Sequence, residues 1–103
     1  LLLAVSLNTS ALSETPTEDG QNWQEQKCAL YQSAADDALE YLGSDGMSTE
    51  FLSRNTAFIE SGCTTRGNAC PRSAKELEFA NLLTLMTMNE GMASSFVPFG
   101  CLE

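Results

Sequence analysis

The sequence predicts an all-α protein, a small disulfide-stapled bundle of three to four helices. Three observations carry this reading. Apolar residues recur at helical spacing in three stretches, each opened by a residue that caps helices. No stretch alternates apolar and polar residues with the period of a strand. The chain holds four cysteines and no histidine, which in a short exported chain reads as a disulfide framework and not as a metal site.

At 103 residues there is room for one domain around one core, and 43% hydrophobic with 18% charged residues places the chain among globular proteins. Residues 1–13, LLLAVSLNTSALS, are an apolar run that passes into small residues, with Ala11-Leu12-Ser13 in the small-x-small form of a signal cleavage site. The expectation is a remnant of a secretory signal peptide, followed by a periplasmic or secreted domain over residues 14–103. Within it, 14–21 (ETPTEDGQ) contains Pro16 and Gly20 without periodicity and reads as a linker. Nothing after residue 13 supplies the roughly 20 apolar residues a membrane span needs.

The first helix is predicted near 22–42. Asn22 caps it and Glu25 completes a capping box. Trp23, Leu30, Tyr31, Ala34, Ala35, Ala38, Leu39, Tyr41 and Leu42 share one face, with Cys28 at its edge and Asp36, Asp37 and Glu40 opposite. Gly43 stops it. A second helix is predicted near 48–61, capped by Asp45 or Ser48, with Phe51, Leu52, Phe58 and Ile59 at helical spacing. Asn55 interrupts that face and Gly62 ends the run. The third, near 74–90, opens on the capping box of Ser73 and Glu76. Its residues Leu77, Phe79, Ala80, Leu82, Leu83, Leu85, Met86 and Met88 point all round the axis, which predicts a central helix buried on most sides. A short C-terminal segment broken by Pro98 and Gly100 leads to Cys101.

Short connections predict antiparallel neighbours, with Cys28, Cys63 and Cys70 at one end and Cys101 returning to it. Chain entropy leaves two pairings open: Cys28–Cys63 with Cys70–Cys101 sums to about 7.5 kcal/mol, and Cys63–Cys70 with Cys28–Cys101 to about 7 kcal/mol. The second is preferred here because Cys63 and Cys70 bracket a single turn between helices.

Five Lys and Arg against fourteen Asp and Glu give a formal charge of -9, which disfavours nucleic acid as a partner and favours a basic protein. Asp36, Asp37, Glu40 and Asp45 gather around the first inter-helix turn and are the candidate partner-binding residues. Arg66, Arg72 and Lys75 are expected at the opposite end of the bundle.

Without histidine, the usual base of a Ser or Cys triad is missing, and no residue pattern calls for a cofactor or a metal. Carboxylate chemistry is the enzymatic alternative. Phe58-Ile59-Glu60-Ser61 is similar to the catalytic segment of lysozyme-like lytic transglycosylases, a resemblance that makes Glu60 a general acid. That family's later glycine-leucine-methionine-glutamine segment is absent, and a surface Glu60 in a last helical turn is the preferred reading. In size, cysteine content and an aromatic, proline-containing terminal Cys segment, the chain resembles small exported helical immunity proteins of bacterial type VI secretion.

The reading favoured is a non-enzymatic protein-interaction module, of inhibitor or immunity type. One alternative is a carrier or sensor holding a small apolar ligand between helices, in a pocket bordered by Met86 and Met92. Another is a carboxylate-based hydrolase using Glu60 or Glu90.

Overall fold

A computed structural model describes residues 22–101, which form three α-helices, one 3-10 turn and no strand. The expectations for the signal remnant at 1–13 and the linker at 14–21 lie outside the described residues. The helices are α1 (Trp23–Leu42), α2 (Thr49–Glu60) and α3 (Ala74–Asn89), and the 3-10 turn spans Ser94–Phe96.

Each helix begins where its capping chemistry dictates. Asn22 Oδ1 accepts from Glu25 N at 2.8 Å while Glu25 Oε1 accepts from Asn22 N at 3.3 Å. Ser48 Oγ accepts from Phe51 N at 3.0 Å, and Ser73 Oγ from Glu76 N at 3.0 Å. α1 ends at Gly43, whose φ of 79° is open to a residue without a Cβ and lets its N–H reach Leu39 O at 2.7 Å.

α1 and α2 run antiparallel. Their far ends meet where Gln24 Nε2 donates to Gly62 O and Cys63 O, both at 3.1 Å, and where Cys28 is bonded to Cys63. Residues 61–73 do not make the short turn that the sequence suggests. They run back along the length of α2, so that α3 starts beside the end of α1: Lys75 Nζ donates to Leu42 O at 2.9 Å and Ser73 Oγ to Gly46 O at 2.5 Å. α3 therefore lies antiparallel to α1, its main partner, and parallel to α2.

This path and the small number of covering elements correct four expectations. Cys63 and Cys70 fall at opposite ends of α2, so the disulfides are Cys28–Cys63 and Cys70–Cys101 instead of Cys63–Cys70 with Cys28–Cys101. Arg72 and Lys75 stand at the same end as Asp45, beside Gly46, so the bundle is not divided lengthwise into acidic and basic ends. α3, predicted to be buried on most sides, leaves Leu77, Leu85 and Met88 exposed, because two helices and a strap cannot cover its whole circumference. Trp23 and Tyr41, assigned to the apolar face of α1, are exposed at its two ends for the same reason.

The C-terminal segment is the strap. A parallel bridge joins Ala69 to Phe99, with Ala69 N donating to Pro98 O at 3.0 Å. At Gly67, where φ is 84°, a Cβ would overlap Pro98, so the crossing is open only to glycine. The strap completes two aromatic clusters. At one end Phe96 meets Tyr31 and Phe58, with centroids 6.2 and 5.8 Å away, and at the other Phe99 meets Phe51 and Phe79 at 5.8 and 5.9 Å. Each such pair contributes about 0.5–1.5 kcal/mol beyond its buried area, so α2 and the strap knit both ends of the core.

Two buried polar groups are satisfied across elements. Asn55, which looked like an interruption of α2, accepts through Oδ1 from the buried Tyr31 hydroxyl. Glu76, only 3% exposed, does more than cap α3. Its Oε2 accepts from Ser48 N at 2.7 Å, while Oε1 accepts from Arg72 N at 2.7 Å and Ser73 N at 3.1 Å. One carboxylate thus ties the starts of α2 and α3 together. Burial by itself pushes its pKa up, but the backbone donors outweigh that and hold it down at about 2.

Candidate functional site

The candidate site lies between α1 and α3, lined by residues of those two helices alone. Ala34, Ala35 and Ala38 are buried on α1, and their small side chains let α3 approach through Phe79 and Leu83. Next to this close seam the side chains become large again. Ala38 and Tyr41 of α1 and Leu82 and Met86 of α3 line an open groove of about 390 Å3, with Asp37 on its border. Leu85 lies one turn from Leu82 on the outer surface of α3 and is 61% exposed, and Tyr41 is 81% exposed.

One carboxylate, Asp37, reaches this apolar strip, and others stand on the exposed surface of the same helices. Asp36, Asp37 and Glu40 are exposed on the same stretch of α1, and Glu78, one turn before Leu82, is exposed on α3. Among the described residues the only ion pair is Arg54 with Glu50, at 3.3 Å on α2, so none of the groove carboxylates is neutralised by a described cation. Asp45 is exposed in the turn after α1 and does not line the groove. Of the four acidic residues singled out in the sequence, the structure brings Asp37 directly to the groove. Asp36 and Glu40 stand on the adjoining surface of α1.

The other sequence candidates fall elsewhere. Glu60 and Glu90 are exposed at the C-terminal ends of α2 and α3. Thr84 Oγ1 donates to Ala80 O at 2.7 Å and Thr87 Oγ1 to Thr84 O at 3.0 Å, so the hydroxyls of α3 bond within the helix. Met86 lines the surface groove, Met88 is exposed and Met92 is buried, so Met86 and Met92 do not border one pocket. The sequence singles out Met86 but not the half-buried Leu82 or the exposed Leu85 for this surface. The signal that reveals them is a helix apolar all round in a chain with too few neighbours to cover it.

The groove can hold apolar side chains and attract cations. No family model matches the chain, and neither a curated protein nor a solved structure does.

Proposed function

We propose that the protein is a non-enzymatic interaction module that seats a basic amphipathic helical segment of another protein in the α1–α3 groove. The observation that carries this is an apolar strip in which the half-buried Leu82 and Met86 line the groove and the exposed Tyr41 and Leu85 flank it, with exposed carboxylates nearby that have no described cationic partner. Apolar surface of this kind gains from being covered, and the carboxylates select a covering segment that carries Lys or Arg. A helix fits because α1 and α3 leave a groove between them into which a third helix can lay one apolar ridge, flanked by charge.

The setting we propose is the periplasm or the extracellular space. Its support is the pairing of all four cysteines, since disulfides persist in oxidising compartments. No helix among the described residues is long and apolar enough to cross a membrane. In this reading the module acts by occupancy, as an inhibitor or immunity-type binder does, covering a basic segment that its partner needs.

A synthetic Leu/Lys amphipathic peptide with its leucines along one face tests the reading by surface plasmon resonance. D36N/D37N/E40Q should slow association several-fold, and raising the salt to about 0.5 M should do much the same to the native protein. Y41S/L85S should speed dissociation, because those side chains supply the apolar contact. Association that ignores both the substitutions and the salt, or dissociation unchanged in Y41S/L85S, contradicts it.

A further inference from the structure

A second concavity shares no residue with the groove. It has a volume of about 320 Å3 and lies between the first turns of α2 and the segment leading into α3. Arg54, Arg72, Ser48, Asn68 and Glu50 line it, and Phe51 and Cys70 supply apolar surface.

Two of the chain's five cationic residues therefore line one small cleft, on a protein whose formal charge is -9. Glu50 offsets one of them, through its 3.3 Å pair with Arg54. Arg72 has no carboxylate partner among the described residues. Its backbone is nevertheless fixed, since Arg72 N donates to Glu76 Oε1 at 2.7 Å, so the guanidinium extends from an anchored position. α2 and α3 both begin at this end, and the positive poles of their backbones add to the same field. The Glu76 charge beside them is already engaged by three backbone N–H groups.

We infer that this cleft binds a small oxyanion, a carboxylate or phosphate group on a compact ligand. Guanidinium groups present paired N–H donors matched to the two oxygens of such a group, and Asn68 adds an amide donor at the rim. The cleft is at the lower end of the range for small-molecule sites, roughly 300–1,000 Å3. The incoming anion competes with Glu50 for Arg54, so Glu50 sets the affinity. The site is independent of the groove, and either can fail without the other.

The experiment is a titration of the full chain at low salt with inorganic phosphate and, separately, with citrate. It is followed by NMR through the Arg Nε–H signals and the backbone amides of Ser48 and Asn68. Saturation by phosphate alone assigns a phosphate ligand, by citrate alone a carboxylate, and by both the shared chemistry. R72Q should weaken binding about tenfold, whereas R66Q, which removes the same charge from an exposed loop position, should change it by less than about twofold. E50Q should strengthen it. No saturation with either probe, or equal weakening by R72Q and R66Q, overturns the inference.

Discussion

The end where α2 and α3 begin and the outer surface of α1 and α3 use polar residues in opposite ways. At the first, polar atoms are committed to the fold: Glu76 collects three backbone N–H groups, Ser73 bonds Gly46 O and Lys75 bonds Leu42 O. At the second, Asp36, Asp37, Glu40 and Glu78 are exposed on the same two helices as Tyr41 and Leu85, without a described cation to pair with. Glu76, Ser73 and Lys75 in the first region already stabilise the protein, whereas the carboxylates of the second cost little to change and are free to meet another molecule. Substitutions should therefore separate the two regions, with stability lost in one and binding in the other.

The largest loss should come from the staples. Removing Cys28–Cys63 as C28A/C63A should cost about 4 kcal/mol, and C70A/C101A nearly the same, because the closed loops span 35 and 31 residues. Urea unfolding of both variants checks this. A much smaller loss for one pair would show that its end of the bundle retains order when unfolded.

Next is E76Q. An amide cannot accept on both sides, so at least one of three donors is left facing an NH2 group, at a cost of about 2–3 kcal/mol. The pH dependence follows the same group. Its folded pKa is about 2 against an ordinary 4.5, so its contribution is complete above 4.5 and disappears as the pH falls to about 2. Thermal melts from pH 2 to 7 should show this acid slope in the native protein and a flatter one in E76Q.

Y31F should cost about 1–2 kcal/mol, since it leaves the buried Asn55 oxygen without its donor. Burial also pushes the Tyr31 phenol above its ordinary value of 10.0. Its contribution is therefore present below pH 10 and is lost as the unfolded chain ionises above it. Y31F should lack that alkaline decline in chemical denaturation.

The smallest effect on stability belongs to D36N/D37N/E40Q, whose melting temperature should stay within a few degrees of the native one. A drop comparable to that of E76Q would mean that these carboxylates serve the fold, and the contrast between the two regions would collapse.

Much of the fold is legible in the sequence where the information is local. Asn22 with Glu25 and Ser73 with Glu76 place two helix starts to the residue, because a cap is a contact over three positions, while for α2 the sequence leaves Asp45 and Ser48 open and the structure takes Ser48. What is not legible is set by non-local geometry. The capping box announces the bond of Glu76 to Ser73 but not the one to Ser48, which is 28 positions away. The disulfide pairing depends on the path of residues 61–73, and the entropies of the two pairings are too close to decide it. The acidic residues of the candidate site are legible as a cluster. Their apolar neighbours are not, because Leu82, Leu85 and Met86 carry the same pattern as the buried Phe79 and Leu83, and only the number of covering elements separates them.

The most direct test of the central claim is an NMR footprint of the Leu/Lys amphipathic peptide on the full chain, set against a scrambled peptide of identical composition. Charge attraction alone treats the two peptides alike, whereas groove docking requires the leucines on one face. Saturable shifts are expected from Asp37 to Tyr41 and from Leu82 to Met86 with the amphipathic peptide, and weak, diffuse shifts with the scrambled one. Equal responses to both peptides, or a footprint centred outside α1 and α3, would contradict it.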